Sequence, residues 1–406
     1  MKLDAYLETQ LTSRVDRAHR DFVDVAGRRI PRYAAEFWTA RQRQSSSLHE
    51  ISYRACFKAE LPRFFINFLT ERNDGVMDPF SGRGTTAVES ALLGRSVIAS
   101  DTNPLSEILC RPRLDVPSVD EVQKRLEGVP FSVRVRADID LSMFYDRRTE
   151  SEIVSLGKYL DGRRKSGLED RADRWIRMVA TNRLTGHSRG FFSIYTLPPN
   201  QAVSPERQRR INKRLNQRTE YRDVREIIMR KSRSLLRNVT PLQRRALRRA
   251  AQSARVFTSD ARALDKIRNN VVQLTVTSPP FLNIVNYRED NWLRCWFNGI
   301  DGRHVHGVDA GAGSLQNWTA LIAGALKEFY RVTRAGGWVA FEVGELRRRS
   351  VRLEEAVIPA GIEAGFECPA ILINTQKFTK TANIWGVRNN VGGTNTNRIV
   401  LFHKSR

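Results

Sequence analysis

Cysteine is scarce and scattered. Cys56, Cys110, Cys295 and Cys368 form no CxxC pair and sit in no Cys/His cluster, which argues against a disulfide framework and leaves no metal expected. No apolar run approaches the roughly 20 residues a membrane-spanning helix needs, and the opening MKLDAYLETQ carries charge where a secretory leader needs an apolar stretch. The expectation is therefore a cytoplasmic protein without a membrane partner, nucleoid-associated if the source is prokaryotic. No GK[ST] follows a glycine loop, so a phosphate-cradling ATP site has no support. Acid is also in the minority. Against 44 Asp and Glu stand 68 Lys and Arg, a formal charge of +24, and such an excess predicts attraction to a polyanion, nucleic acid first, with a solvated basic face or a membrane surface as alternatives.

What is present suits a folded chain of more than one module: 406 residues, 41% hydrophobic. Residues 1–45 are polar and arginine-rich and read as an N-terminal arm of one or two helices before a serine linker. Residues 46–110 carry a helix at FFINFLTER, a strand ending at Asp78, a glycine loop, a helix through Leu93 and a strand ending at Asp101, which together make a βαβ unit. From Arg111 to about Arg255 the pattern turns helical, with a capping box expected from Thr149 to Glu152 and a helix start at Thr240-Pro241. Between Pro205 and Ala250 there are 16 Lys and Arg against 4 Asp and Glu, a net +12 and half of the whole excess. Strand patterns resume at RVFTSDA and QLTVTSPPF, followed by a helix at LIAGALKEFYRVT and the strands WVAFEVG, AILIN and NRIVLFHK. The division expected is 1–45, a catalytic domain from 46–110 plus 256–406, and a helical insertion at 111–255 serving as target-recognition module.

Two constellations carry chemistry. In MDPFSGRGTTAVESA, Gly82 and Gly84 fall in a turn between strand and helix, and Asp101 stands 17 residues past Gly84 at the end of the next strand, where a carboxylate can accept ribose hydroxyls. A glycine turn alone serves NAD, S-adenosylmethionine or a tight bend equally well. The preceding Asp78 and Phe80 receive a pyrophosphate poorly and an ammonium or sulfonium well. The second constellation is Ser278-Pro279-Pro280-Phe281, directly after QLTVT. Pro279 forces Ser278 into extended backbone and each ring fixes its own φ, so the corner is stiff. An aromatic amine is a poor nucleophile until its N–H bonds are pulled toward tetrahedral geometry. The Ser278 hydroxyl and the Pro279 carbonyl are natural acceptors for that task, and Phe281 can stack on an extruded base. Leu197-Pro198-Pro199-Asn200 lacks both the polar leader and the aromatic follower and reads as a structural turn.

The pairing of DPFSGRGTT with SPPF resembles the amino-group DNA methyltransferases of the N4-cytosine and N6-adenine type. The likeness covers about half of the chain and extends to ISYRACFKAELPRFFI, FTSDAR, RAGGWVAF and TNRIVLFHK. It implies an α/β, Rossmann-like methyltransferase fold, a mostly parallel seven-stranded sheet with helices on both faces, with the helical basic insertion added. It implies S-adenosyl-L-methionine as cofactor, bound by Phe57, Asp78, Pro79, Phe80, Gly82, Gly84, Thr85, Asp101 and Asp260. Ser278, Pro279, Pro280 and Phe281 would act on a flipped base, with Tyr287 and Asn291 beside it. Serine at the first position of the loop leans toward cytosine N4. Double-stranded DNA is the implied partner, with a cognate restriction endonuclease as a possible companion, and Arg207, Arg209, Arg210, Lys213, Arg214, Arg230 and Lys231 are candidate DNA contacts. An RNA or protein amino-group methyltransferase, or a non-catalytic DNA-binding protein that keeps the cofactor fold, remains open on these residues. So does His187 in TGHSRGFF, which suits either a structural role or a DNA-facing loop. Carbon-5 methylation of cytosine would need a cysteine nucleophile, and none is placed for it.

Overall fold

Nine segments rich in Val, Ile, Phe and Ala join one sheet in the computed structural model, which describes residues 9, 19–38, 45–54, 56–197, 202–280, 287–301, 315–343, 352–375 and 396–405. The strands are β1 (His19–Val25), β2 (Arg28–Ala35), β3 (Gly75–Asp78), β4 (Ser96–Asp101), β5 (Arg255–Thr258), β6 (Val272–Thr277), β7 (Thr333–Val343), β8 (Glu367–Thr375) and β9 (Thr396–His403). Their order is β1-β2-β8-β9-β7-β6-β3-β4-β5. From β5 across to β7 every neighbouring pair is parallel, and β9 runs antiparallel between β7 and β8. The seven strands β3 to β9 form the mostly parallel, Rossmann-like core that the motifs imply.

Burial alternates along the strands as the pleat demands. Met77, Val339, Phe341, Val400 and Phe402 face one layer, built from α11 (Leu315–Val332) and α12 (Leu353–Glu363). Val76, Leu274, Val276, Ala340, Ile399 and Leu401 face the other, built around α1 (Glu60–Leu69) with its aromatic stack of Phe64, Phe65 and Phe68. Helices thus cover both faces. Among the described residues no helix is long and apolar enough to cross a membrane.

The arginine-rich N-terminal segment differs from its expected helices. Residues 19–35 form a hairpin, β1–β2, whose Ala26-Gly27 turn has φ of 51° and 70° at its two centres, the positive pair that suits a two-residue hairpin. β2 pairs parallel with β8, carrying the sheet from seven strands to nine. The strand signal is there in Val23, Val25, Ile30 and Tyr33, all buried, but the alternating outward positions hold charge and mask it. Asp21 and Arg32, opposite each other in register, pair across the strands with Nε to Oδ1 at 2.8 Å. Charges on β1 also guard an edge strand against further pairing.

The helical region follows as α2 (Thr85–Leu92), α3 (Leu105–Cys110), α4 (Val119–Glu127), α5 (Arg147–Lys165), α6 (Arg171–Arg183), α7 (Pro205–Leu215), α8 (Val224–Leu236), α9 (Pro241–Ser253) and α10 (Tyr287–Asn298). Thr240 and Gln243 make the reciprocal capping box that opens α9. The expected box at Thr149 is displaced: Asp146 caps α5, because its carboxylate reaches the Arg148 N–H. Thr149 instead donates to the Arg222 carbonyl at 3.0 Å and accepts the Arg222 N–H at 2.8 Å, tying α5 to the entry of α8. One apolar core joins Leu48, Ile51, Ala87 and Val97 to Ile153, Trp175, Ile228 and Leu247, so these helices pack as a continuous layer with α2 and β4.

Candidate active site

Strand order fixes where a ligand can bind. β3 has β4 on one side and β6 on the other, so successive connections leave it in opposite directions, and a crevice opens beyond the carboxyl ends at such a switch point. The Asp78–Thr85 loop follows β3, Asp101 ends β4, and the Ser278 corner follows β6.

Two contacts join the two loops, and a third holds the Ser278 corner to α11. The Thr277 hydroxyl donates to Asp78 Oδ1 at 2.7 Å, the Thr86 hydroxyl at the head of α2 donates to the Val276 carbonyl at 3.2 Å, and Trp318 Nε1 on α11 holds the Pro280 carbonyl at 2.9 Å. Asp78 is buried, and loss of hydration pushes its carboxyl up to about 7 despite hydrogen bonds from Thr277, Thr86 and the Phe80 N–H. Pro79 is buried beside it, and Phe80 packs edge-on to Phe329, 6.4 Å between centroids.

Gly84 caps α2 in the left-handed region at φ 76°, and a Cβ there would stand 2.7 Å from Cys110 Sγ. Only glycine satisfies both demands. The Gly82 N–H donates to Asp101 Oδ2 at 2.8 Å and the Asn103 N–H to Oδ1 at 2.9 Å, with a further backbone hydrogen bond from Thr102, so Asp101 is fixed across the loop with part of its acceptor capacity still open. Burial also raises its pKa. Thr85 is buried, its hydroxyl accepting from Arg83 Nε at 3.1 Å. Arg83 goes further: Nη1 binds the His49 and Ile51 carbonyls at 2.9 Å each, and Nη2 reaches the Phe57 carbonyl at 3.4 Å. The residue between the two glycines thereby pins the segment carrying Phe57 over the loop, with the Phe57 ring half-buried against the α1 layer. Asp260, just past β5, is half-exposed and forked by Arg262, with Nη2 to Oδ2 at 2.7 Å, which lowers its pKa.

At the corner, Ser278 is half-exposed and Pro279 buried. Behind it lies a residue the motif reading passed over. Glu342, near the carboxyl end of β7, is hydrogen-bonded by the Ser278 side chain and by Asn397 Nδ2 at 2.5 Å, and burial pushes its carboxyl up to about 7. The rule that singles out Asp78 and Asp101, an acid closing a core strand, also picks Glu342 out of WVAFEVG. Phe281 lies outside the described residues, as does the Tyr287 side chain. Asn291 is buried in α10 with its amide oxygen 3.0 Å from Arg294 Nη1.

The basic candidates divide. On α7, Arg207, Arg209, Arg210, Lys213 and Arg214 are exposed while Gln208 and Ile211 are buried. Arg207, Arg210 and Arg214 share one helical face and line a groove of about 540 Å³ with Leu197 and Ser204. Arg230 is exposed on α8, and Lys231 is half-buried with its ammonium lowered to about 8 by desolvation and by Arg183.

Sheet order, switch point and paired loops define the Rossmann-like class of group-transfer fold. A family model described as DNA methylase, of the N6/N4 type, matches residues 15–106, which contain the hairpin and the whole glycine loop. The chain is similar to the Type II methyltransferase M.BsoBI of Geobacillus stearothermophilus, 21% identical over 280 residues that cover 64% of this chain and 55% of that protein. The match thus spans just over half the length of this curated relative. Both findings support the amino-group DNA methyltransferase family. Among solved structures, the chain is similar to TrmN from Thermus thermophilus, 14% identical, covering 88% of this chain and 51% of that one with a TM-score of 0.33. It is also similar to a putative DNA modification methylase from the same organism, complexed with S-adenosyl-L-methionine, 18% identical, covering 36% and 54% with a TM-score of 0.24.

Proposed function

We propose that this chain is a DNA methyltransferase that moves the methyl group of S-adenosylmethionine to the exocyclic amino nitrogen of a flipped base, cytosine N4 in preference to adenine N6. The observation that carries the reading is the Thr277–Asp78 hydrogen bond, 2.7 Å, which ties the glycine loop to the Ser278-Pro-Pro corner at the carboxyl ends of two adjacent interior strands. The residues fit the cofactor: Asp101 keeps acceptor capacity for a ribose hydroxyl, and the Ser81 hydroxyl and the Asn103 Nδ2 amino group beside it are buried polar groups without a protein partner among the described residues. Carboxylates at Asp78, Asp101 and Asp260 suit a cation and not a pyrophosphate.

When bound, S-adenosylmethionine supplies an electrophilic methyl carbon. The chain supplies the acceptors. Ser278 donates its own hydroxyl proton to Glu342, which leaves the Oγ lone pairs facing the target N–H, while the Pro279 carbonyl takes the second N–H. As the nitrogen gains positive charge on attack, its proton passes to Ser278 Oγ and the serine proton to Glu342, whose raised pKa suits it to receive one near neutrality. The net +12 stretch provides the backbone attraction, and a cognate restriction endonuclease is the further partner this reading offers.

The test is transfer of labelled methyl groups to duplex DNA, followed by nucleoside analysis for N4-methylcytosine and N6-methyladenine. Label in either nucleoside supports the reading, N4-methylcytosine its finer form. Label confined to RNA supplied in parallel, or none in any substrate, would reject it.

A further inference from the structure

TGHSRGFF folds into a tight loop behind the end of α6. A Cβ on Gly186 would stand 2.3 Å from the Phe191 ring, so glycine is what lets that ring lie flat against the backbone. Arg222 stitches the loop, its Nη1 donating to the Ser188 carbonyl at 3.0 Å, the Phe191 carbonyl at 3.1 Å and the Ser193 carbonyl. On the buried ring sits the guanidinium of Arg183, 3.9 Å from the centroid.

Arg183 is only 8% exposed. Its Nε donates to the Asn182 carbonyl at 2.9 Å, but its terminal nitrogens make no hydrogen bond and no ion pair among the described residues. Lys231, across from it on α8, likewise makes neither among them. Glu50 attracts Lys231 at longer range but is bound by Arg237, 2.7 Å from Nη1, and Asp290 is bound by Arg54 at 2.6 Å. Arg230, exposed, adds a third cation, paired with Glu226 on its own helix at 3.5 Å and held by Nη2 to the Arg189 carbonyl at 2.9 Å at the loop tip. A buried cation without a counter-charge destabilises a fold, and among the described residues Arg183 is one.

We propose that Arg183, Lys231 and Arg230, floored by Phe191, form a phosphate-binding site that grips the nucleic-acid backbone beside the catalytic corner. The inference rests on the DNA methyltransferase reading. The placement is apt: Asn182 accepts the Ser52 N–H at 2.6 Å and Arg294 donates to the Ser52 carbonyl at 3.1 Å, so the site shares its wall with the segment over the glycine loop and with α10, the helix after the Ser278 corner. Electrostatics agree with it: burial, helped by Arg294 and Arg230, pushes Arg183 down to about 9, and burial, helped by Arg183, pushes Lys231 down to about 8. A phosphodiester relieves that repulsion. His187 and Arg189, exposed at the loop tip, flank the entrance.

The experiment measures duplex binding by anisotropy across stepped salt concentrations for wild type, Arg183→Gln and Lys231→Gln, with S-adenosylmethionine binding as the fold check. Each lost phosphate contact lowers the log–log salt slope by about 0.9, so each variant is expected to show that drop while binding cofactor as before. Unchanged slopes in variants that still bind cofactor overturn the site and leave the methyltransferase reading standing. If Arg183→Gln loses cofactor binding as well, Lys231→Gln, less buried, decides alone. A wild-type chain that binds no duplex overturns both. Inorganic phosphate titrated into the wild type separates the two sources of the ligand: competition with duplex at this site supports the proposal, whereas phosphate binding that Lys231→Gln abolishes without change in duplex slope overturns it.

Discussion

Asp78→Asn isolates the cost of keeping a carboxylate dry at the base of the cofactor loop. The amide preserves volume and the oxygen that accepts from Thr277 and Phe80, but it cannot ionise. In the folded chain Asp78 titrates at about 7, against an ordinary value near 4 when unfolded. The sign follows from linkage: an acid whose folded pKa is raised stabilises the fold below its unfolded pKa, and that contribution is lost as pH climbs through the folded value. With about 1.4 kcal/mol per decade, fully ionised Asp78 costs the cofactor-free protein about 4 kcal/mol, of which about 3 is lost between pH 5 and pH 8.5. Urea unfolding at those two pH values, without cofactor, should therefore show the variant gaining on wild type by about 3 kcal/mol as pH rises. Cofactor affinity should fall in the same variant if, as proposed, the residue that burdens the empty fold meets the cationic methionine end. Parallel stability profiles for the two proteins would refute the argument, because they would mean that Asp78 is no more buried as an anion in the fold than out of it.

Ser278→Ala should bind cofactor as wild type does yet turn over about 100-fold more slowly or worse, the scale seen when one preorganised contact to developing charge is removed; single-turnover methylation beside calorimetry separates the two quantities. Wild-type kcat is expected to rise as pH climbs through about 7, where Glu342 loses its proton and can accept one through Ser278, and Glu342→Gln should abolish that rise; a pH–rate profile unchanged by the substitution would remove Glu342 from the proton path. Gly84→Ala forces φ 76° on a residue with a Cβ and drives that carbon to 2.7 Å from Cys110 Sγ, so a loss of about 2 to 4 kcal/mol in unfolding free energy is expected. Replacing Arg207, Arg210 and Arg214 together should flatten the salt slope of duplex binding by up to about 2.7.

The core was legible where composition and period agree. QLTVT, SVIAS and WVAFEV are β-branched or aromatic runs with a polar residue at or next to the end, and each became a strand with at least one parallel neighbour and its acid or hydroxyl near the carboxyl end. The glycine loop was legible for a physical reason as well, since positive φ and close approach leave no substitute at Gly84. The N-terminal hairpin was not. Its outward positions are charged, and its pairing with β8 joins residues more than 330 apart in sequence, Arg32 to Ile371, a partnership no local pattern encodes. Asn374 reinforces that distant junction by holding both the N–H and the carbonyl of Trp38. Glu342 was hidden differently, since a buried acid looks like any solvated one until its neighbours are known. The same holds for Arg183, one arginine among many, whose lack of an ion pair among the described residues is a property of packing alone.

Charge separates the two halves of the work this fold has to do. The acids that the proposed reading uses, Asp78, Asp101, Asp260 and Glu342, stand at or near the carboxyl ends of core strands, and burial raises three of the four. The cations lie on the helical layer, which alone holds a net +12 across 205–250. A sulfonium cofactor and a polyanionic substrate have opposite preferences, and a single mixed field would weaken the binding of both. Distance solves this only in part, because methyl transfer requires the two ligands to meet. The meeting point must therefore carry no permanent charge, and the Ser278-Pro279-Pro280 corner carries none: a hydroxyl, two tertiary amides and a carboxyl that titrates near 7. The rigid corner would then insulate two opposed electrostatic basins, and placing a permanent charge there, as in Ser278→Asp with Glu342 retained, should impair binding of the second ligand as much as it impairs the chemistry.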